Sequence, residues 1–183
     1  MKKICLVVLA LFCVCALTAP AAEKEKNHLR ARLVGTNETP QTIVTNATGS
    51  WTATLNNDST ITFTLTYNNL STPVVQAHIH VGATKTTGGV AIFFCGPAGS
   101  PAHQTCPNDA TNSGTVTGTV AAADVIGPTG QGVAVGDFAS VARAIASGVT
   151  YVNVHTTAHP GGEIRGRVQQ REDDDDDNLP GAR

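Results

Sequence analysis

The chain has 183 residues and a formal net charge of −2, with 41% hydrophobic and 14% charged residues. Between positions 22 and 171 nine Lys/Arg stand against eight Asp/Glu, and six further acids follow at 172–177. A near-neutral body argues against nucleic acid as the partner; the length suits one domain; and a composition rich in Thr, Val, Ala and Gly points to β structure.

The N-terminus reads Lys2-Lys3, an apolar run over 4–17, then Thr18-Ala19-Pro20-Ala21-Ala22. A basic start, an apolar middle and small residues at the cut are the layout of a secretory signal peptide, 1–21 or 1–22. The run is too short for a comfortable membrane span, and no later segment is long enough to make one. A lipoprotein anchor at Cys13 or Cys15 ranks second, because neither follows the usual Leu-small-small pattern. The expected location is therefore secreted or periplasmic. Cleavage removes Cys5, Cys13 and Cys15 and leaves Cys95 and Cys106. A single pair in an oxidising compartment predicts a disulfide over free thiols or a metal pair. Closing a loop of that size contributes about 3 kcal/mol on the chain-entropy model.

Residues 22–28 form a charged leader in which His28 reads as a surface residue. Alternation over 29–35 predicts a first strand with Leu29, Ala31 and Leu33 inward, followed by a loop over 36–45 containing Glu38-Thr39-Pro40. Strands at 49–55 and 60–67 flank the polar Asn56-Asn57-Asp58-Ser59, a hairpin. Trp51, Ala53 and Leu55 share one face of the first, and Ile61, Phe63 and Leu65 one face of the second, with Thr60, Thr62, Thr64 and Thr66 opposite. After Leu70-Ser71-Thr72-Pro73 comes a strand over 76–82 carrying His78-Ile79-His80, then a strand over 88–95, apolar enough to be buried on both sides. A long loop over 96–112 is tied by the expected Cys95–Cys106 bridge, and 114–121 alternates again. Residues 137–147 are the one helical candidate: Asp137 caps it, Phe138, Val141, Ala142 and Ile145 share a face, and Gly148 ends it. Strands at 151–155 and 163–168 close the fold, joined by 156–162 with its Pro160-Gly161-Gly162 turn. The segment 170–183, with five adjacent aspartates, has nothing to bury and is expected to be a disordered, solubilising tail; a weak Ca²⁺ or mineral tether is the alternative. About eight short strands and one short helix predict an all-β antiparallel sandwich or barrel.

Three strands carry matched polar faces. His78 and His80 sit on one; Tyr151, Asn153 and His155 on the second; Glu163, Arg165 and Arg167 on the third. With these strands as neighbours the constellation is His78, His80, His155, Glu163 and Arg165, with His159 in the joining loop. Three imidazoles at one place suit copper or zinc, and Glu163 could orient an imidazole from behind. The alternative is a structural polar network in which Glu163 and Arg165 pair with each other or with His80 and fix strand register.

Ala77-His78-Ile79-His80-Val81-Gly82, then Gly88-Gly89-Val90, Tyr151-Val152-Asn153-Val154-His155-Thr156 and Gly161-Gly162-Glu163-Ile164-Arg165-Gly166 resemble the chordin-type, or CHRD, domain over 29–169. Leu33-Val34-Gly35 with Glu38 and Pro40 is similar to that family's opening. The resemblance implies a secreted Greek-key β-sandwich, found in animals in an extracellular antagonist of growth factors, with no settled activity for single-domain members. The family is in turn distantly similar to copper–zinc superoxide dismutase. That likeness implies copper ligation by His78, His80 and His155, with Arg165 as an anion guide. Residues 83–113 offer only His103 and Asp109 toward a zinc loop, a departure that weighs against a second metal and efficient dismutation.

The leading expectation is a secreted CHRD-type binding or structural module without clear catalytic activity, its partner an extracellular or periplasmic protein or a metal ion. The alternative is a mononuclear copper protein that stores or carries the ion, with weak dismutase-like redox activity at most. A hydrolase finds no support, since no Ser or Thr sits in a nucleophile elbow and no phosphate-binding glycine loop is present. Asn37, Asn46, Asn57 and Asn69 begin Asn-x-Ser/Thr sequons, which become glycan sites only in a eukaryotic secretory pathway.

Overall fold

The computed structural model describes residues 28–102 and 104–171. The expected signal peptide, all of the leader but His28, His103 and the acidic run from 172 onward lie outside the described residues. Nine strands are present: β1 (His28–Val34), β2 (Thr48–Leu55), β3 (Ile61–Asn68), β4 (Val74–Val81), β5 (Gly89–Cys95), β6 (Gly114–Val120), β7 (Thr150–Thr156), β8 (Ile164–Arg167) and β9 (Gln169–Gln170). They form one antiparallel sheet in the order β5-β4-β7-β8-β1-β2-β3-β6, with β9 paired to β1. The sheet curls so that its end strands β5 and β6 approach each other, making a nearly closed barrel. Non-sequential neighbours (β4 with β7, β8 with β1, β3 with β6) give the crossovers of Greek-key winding.

Alternation along β1, β2 and β3 sets the inner face. Leu29, Ala31 and Leu33, Trp51 and Ala53, and Ile61, Phe63 and Leu65 are buried, while their neighbours in the strands face outward. The β2–β3 hairpin closes with Leu55 opposite Ile61, and Ser59 takes the left-handed conformation in its turn. Phe94 from β5 reaches across the interior to Phe63, with ring centroids 4.5 Å apart, and to Trp51 at 5.6 Å. β5 differs from its expectation of burial on both sides. It lies at the edge of the sheet, so Val90 and Phe93 are half-buried while Ala91, Ile92 and Phe94 pack inside.

Helix α1 (Phe138–Ala146) stands between β6 and β7, and Asp137 caps it by accepting from the Ser140 amide at 3.0 Å. Phe138, Val141 and Ile145 are buried as their spacing predicts; the fourth buried position is Ala144 rather than Ala142. Cys95 and Cys106 form a disulfide that fastens the loop after β5. The short β9 and the hydrogen bond from the Arg171 amide to the His28 carbonyl lay the end of the domain along β1.

Candidate metal centre

β4 lies between β5 and β7, and β7 between β4 and β8, so the three polar-faced strands are neighbours. In the β4–β7 register Gln76 faces His155, His78 faces Asn153 and His80 faces Tyr151; in the β7–β8 register Asn153 faces Arg165. The β4–β5 register shifts twice, between Ala77 and His78 and between Ile79 and His80. Such irregularities deepen the local twist and re-aim side chains. Here they flank both histidines.

The expected outer face is roofed instead of open to water: His78, His80 and His155 are 2%, 8% and 6% exposed. Their candidate ligand nitrogens lie within 4.8 Å of one another. Ring centroids are 4.5 Å apart for His78–His80 and for His78–His155, and 6.2 Å for His80–His155.

Hydrogen bonds fix which nitrogen is free on two of the rings. His80 Nδ1 is 2.8 Å from the Gly88 carbonyl, and His155 Nδ1 is 2.9 Å from the Pro160 carbonyl. A carbonyl only accepts, so both Nδ1 atoms carry the proton and both Nε2 atoms present a lone pair. Those two Nε2 atoms are buried without a partner, and so is Nδ1 of His78. Each imidazole thus has one unpartnered buried nitrogen, and each ring offers a nitrogen within 4.8 Å of the other two. Unpartnered buried polar atoms are rare and call for an explanation. Backbone carbonyls that hold the far side of a ring are the usual support of metal-bound imidazole. Tetrahedral bonds of about 2.0 Å hold nitrogens about 3.3 Å apart, so the triad is gathered for an ion but lies slightly wider than one.

Burial, reinforced by the neighbouring His155 and His80, lowers His78 to about 2. Burial likewise lowers His80 to about 4, against the opposing bond to Gly88. His155 is lowered by burial against its bond to Pro160. All three are neutral at neutral pH, the form that ligates.

The other expected site residues divide. Glu163 is fully buried but bonds to no imidazole and not to Arg165: it accepts from the Ser71 amide at 2.9 Å and from the hydroxyls of Ser71 (2.8 Å), Thr156 (2.8 Å) and Thr45 (3.0 Å). Burial alone would raise its pKa, yet these bonds together hold the carboxyl below its usual range. It ties two loops and the end of β7 to the start of β8. Arg165 lies with its guanidinium carbon 3.4 Å over the Tyr151 ring, and Nη2 donates to the Thr86 carbonyl at 2.8 Å. Asn153 donates from Nδ2 to Glu38 at 2.6 Å and to the Ile164 carbonyl at 3.0 Å. His159 stands in the turn before β8, where its carbonyl accepts from the amides of Thr156 and Gly162; it is outside the triad.

Two participants were not legible as such in the sequence. Gly88 serves both sides of the site, its carbonyl accepting a hydrogen bond from His80 Nδ1 and its amide donating to the Tyr151 hydroxyl at 3.1 Å. A Cβ there would lie 1.8 Å from the Val81 carbonyl oxygen, so only glycine fits. Glu38, from the first long loop, is buried, and burial raises its pKa to about 7 against the lowering effects of Asn153 and Arg165.

A scan against protein-family models matches the CHRD domain over residues 29–168. The chain belongs to the CHRD family. Within this CHRD domain the matched segment contains every residue of the triad, β1 from Leu29 onward and all of β2 to β8. No curated protein and no solved structure matches the chain. No helix among the described residues is long and apolar enough to cross a membrane.

Proposed function

We propose that this CHRD domain is an extracytoplasmic binding module that holds a single transition-metal ion, copper by preference, through His78, His80 and His155. The observation that carries this reading is the convergence of three buried imidazoles, each with a ring nitrogen that makes no hydrogen bond. Each costs about 1–3 kcal/mol while unpartnered, and an ion relieves all three at once. Neutral imidazoles suit copper and zinc, and the divalent affinity order favours copper. The disulfide fits export to an oxidising compartment.

A bound copper ion supplies redox and Lewis-acid capacity; the chain's part is to hold it. His80 and His155 are oriented by carbonyls, His78 sits between them, and the roof restricts water. Storage or transfer of the ion fits this arrangement better than dismutation. Among the described residues no second cluster of three or more ligands accompanies the triad, and Asp109 is engaged by Thr111 and Ser113 within its own turn.

The test is metal content after purification without chelator or affinity tag, followed by titration of the metal-free protein with Cu²⁺ and Zn²⁺. One ion per chain is expected, lost in the His78→Ala, His80→Ala double variant. A folded protein that takes up neither ion would leave a binding or structural module that engages a protein partner, with the triad as an internal polar network.

A further inference from the structure

A cleft of about 400 Å³ opens beside the metal centre, between the segment 36–42, the loop 82–85 and the adjoining ends of β7 and β8. That volume falls within the range of small-molecule sites. Its walls carry three cations, Lys85, Arg165 and Arg167, and one carboxyl, Glu38; much of the rest is threonine.

Arg165 is the informative member. It is only 4% exposed, yet among the described residues it makes no ion pair with a carboxylate. Nη2 bonds to the carbonyls of Thr86 and Ala83, and no other nitrogen of the group has a hydrogen-bond partner there. Those other nitrogens are also absent from the fully enclosed unpartnered atoms, so they border open space. A buried guanidinium is ordinarily paired with an anion. Glu38, the one carboxyl on the walls, is occupied by Asn153 and interacts with Arg165 only through space. Arg167 and Lys85 add further positive charge without adding an acid.

This place is separate from the triad. His80 stacks on the Tyr151 ring at 4.6 Å with the planes 6° apart, and the Arg165 guanidinium carbon lies 3.4 Å over the same ring. Two groups so close must occupy opposite faces, since on one face they would overlap. A ligand on Arg165 is therefore kept from the ion by the thickness of an aromatic ring, and Arg165 does not lead into the metal centre.

We propose that the cleft binds a small hydroxylated carboxylate of sugar-acid size, its carboxylate on Arg165 and its hydroxyls among the threonines and Glu38. Planar carboxylate matches the guanidinium fork, and the threonine-rich walls supply donors and acceptors for hydroxyl groups.

The test is amide NMR of the full chain titrated with glucuronate, with glucose and with sulfate. Glucuronate is expected to shift the amides of 36–42 and 83–86, while glucose and sulfate leave them in place. Arg165→Gln is expected to weaken binding about tenfold or more. Because Arg165 also anchors the 83–88 loop, the exposed Lys85→Glu serves as a second variant, with weaker binding expected in a fold left intact. No response to glucuronate, an equal response to glucose or sulfate, or unchanged binding in Lys85→Glu would each overturn the assignment.

Discussion

His80 and Gly88 are joined by a 2.8 Å hydrogen bond from Nδ1 to the carbonyl, and the amide of the same glycine donates to the hydroxyl of Tyr151, whose ring lies flat on His80. Ring, peptide and phenol brace one another. Tyr151→Phe removes the acceptor for the Gly88 amide while keeping the stacking. It is expected to lower stability by about 1–2 kcal/mol and to weaken copper binding by about tenfold through a looser His80. Urea unfolding of the metal-free protein and a competitive copper titration measure the two effects separately.

Glu163 shows how a carboxylate just before β8 can be structural although residues close to it in sequence line a cleft. Four donors from two loops and the end of β7 converge on it. Glu163→Gln turns one of its oxygens into an amide that faces donors. The expected cost is about 2–4 kcal/mol of stability, with copper stoichiometry unchanged in the folded fraction. A variant that kept its unfolding midpoint but lost the ion would place Glu163 in the metal centre after all.

The triad makes stability depend on pH. His78, His80 and His155 are held below their ordinary value, His80 at about 4. Above the unfolded value of 6.5 they are neutral in both states, so their contribution is complete. As pH falls below it, the unfolded chain takes up protons that the folded chain refuses, and stability drops by up to about 1.4 kcal/mol per pH unit for each ring. Glu38 works in the opposite sense between 4.5 and about 7, because the folded chain holds its proton more tightly. The net of two protons gives at most about 3 kcal/mol per pH unit between pH 6.5 and 4.5. Urea midpoints across this window should fall as the solution is acidified, and the trend should reverse in a variant with all three histidines replaced by glutamine, where Glu38 alone remains.

Glu38→Gln isolates the opposing group. A carboxyl raised to about 7 contributes fully below 4.5 and loses that contribution as pH rises through 7. Glutamine keeps an oxygen for Asn153 and never ionises. The variant is expected to match the parent near pH 4.5 and to exceed it at pH 8 by up to about 3 kcal/mol. Equal stability of the two proteins at pH 8 would contradict the burial argument.

The strands were legible because one side of the sheet is buried. Trp51-Thr52-Ala53 and Ile61-Thr62-Phe63-Thr64-Leu65 alternate so plainly that face and pairing both follow. The paired histidines of β4 and the single one of β7 could be put on polar faces by the same rule. What alternation could not supply is the roof. Two of the rings there are held by Gly88 and Pro160, which lie in loops and contribute backbone carbonyls. Every residue has a carbonyl, so side-chain pattern says nothing about where one will point. Glu163 has the same cause: its partners lie 92 and 118 residues earlier in the chain, and another lies seven residues earlier. The edge position of β5 was hidden for a different reason, since five apolar residues in a row look alike in a central strand and in a curled barrel edge.

The central claim is that one ion sits among three imidazoles on two adjacent strands. Electron paramagnetic resonance of the protein loaded with one equivalent of Cu²⁺ tests it most directly, through the nitrogen superhyperfine pattern. Three coupled nitrogens are predicted, falling to two in His155→Gln at unchanged far-UV circular dichroism. A signal from free or loosely held copper in the parent protein, or one that His155→Gln leaves unaltered, would contradict the account.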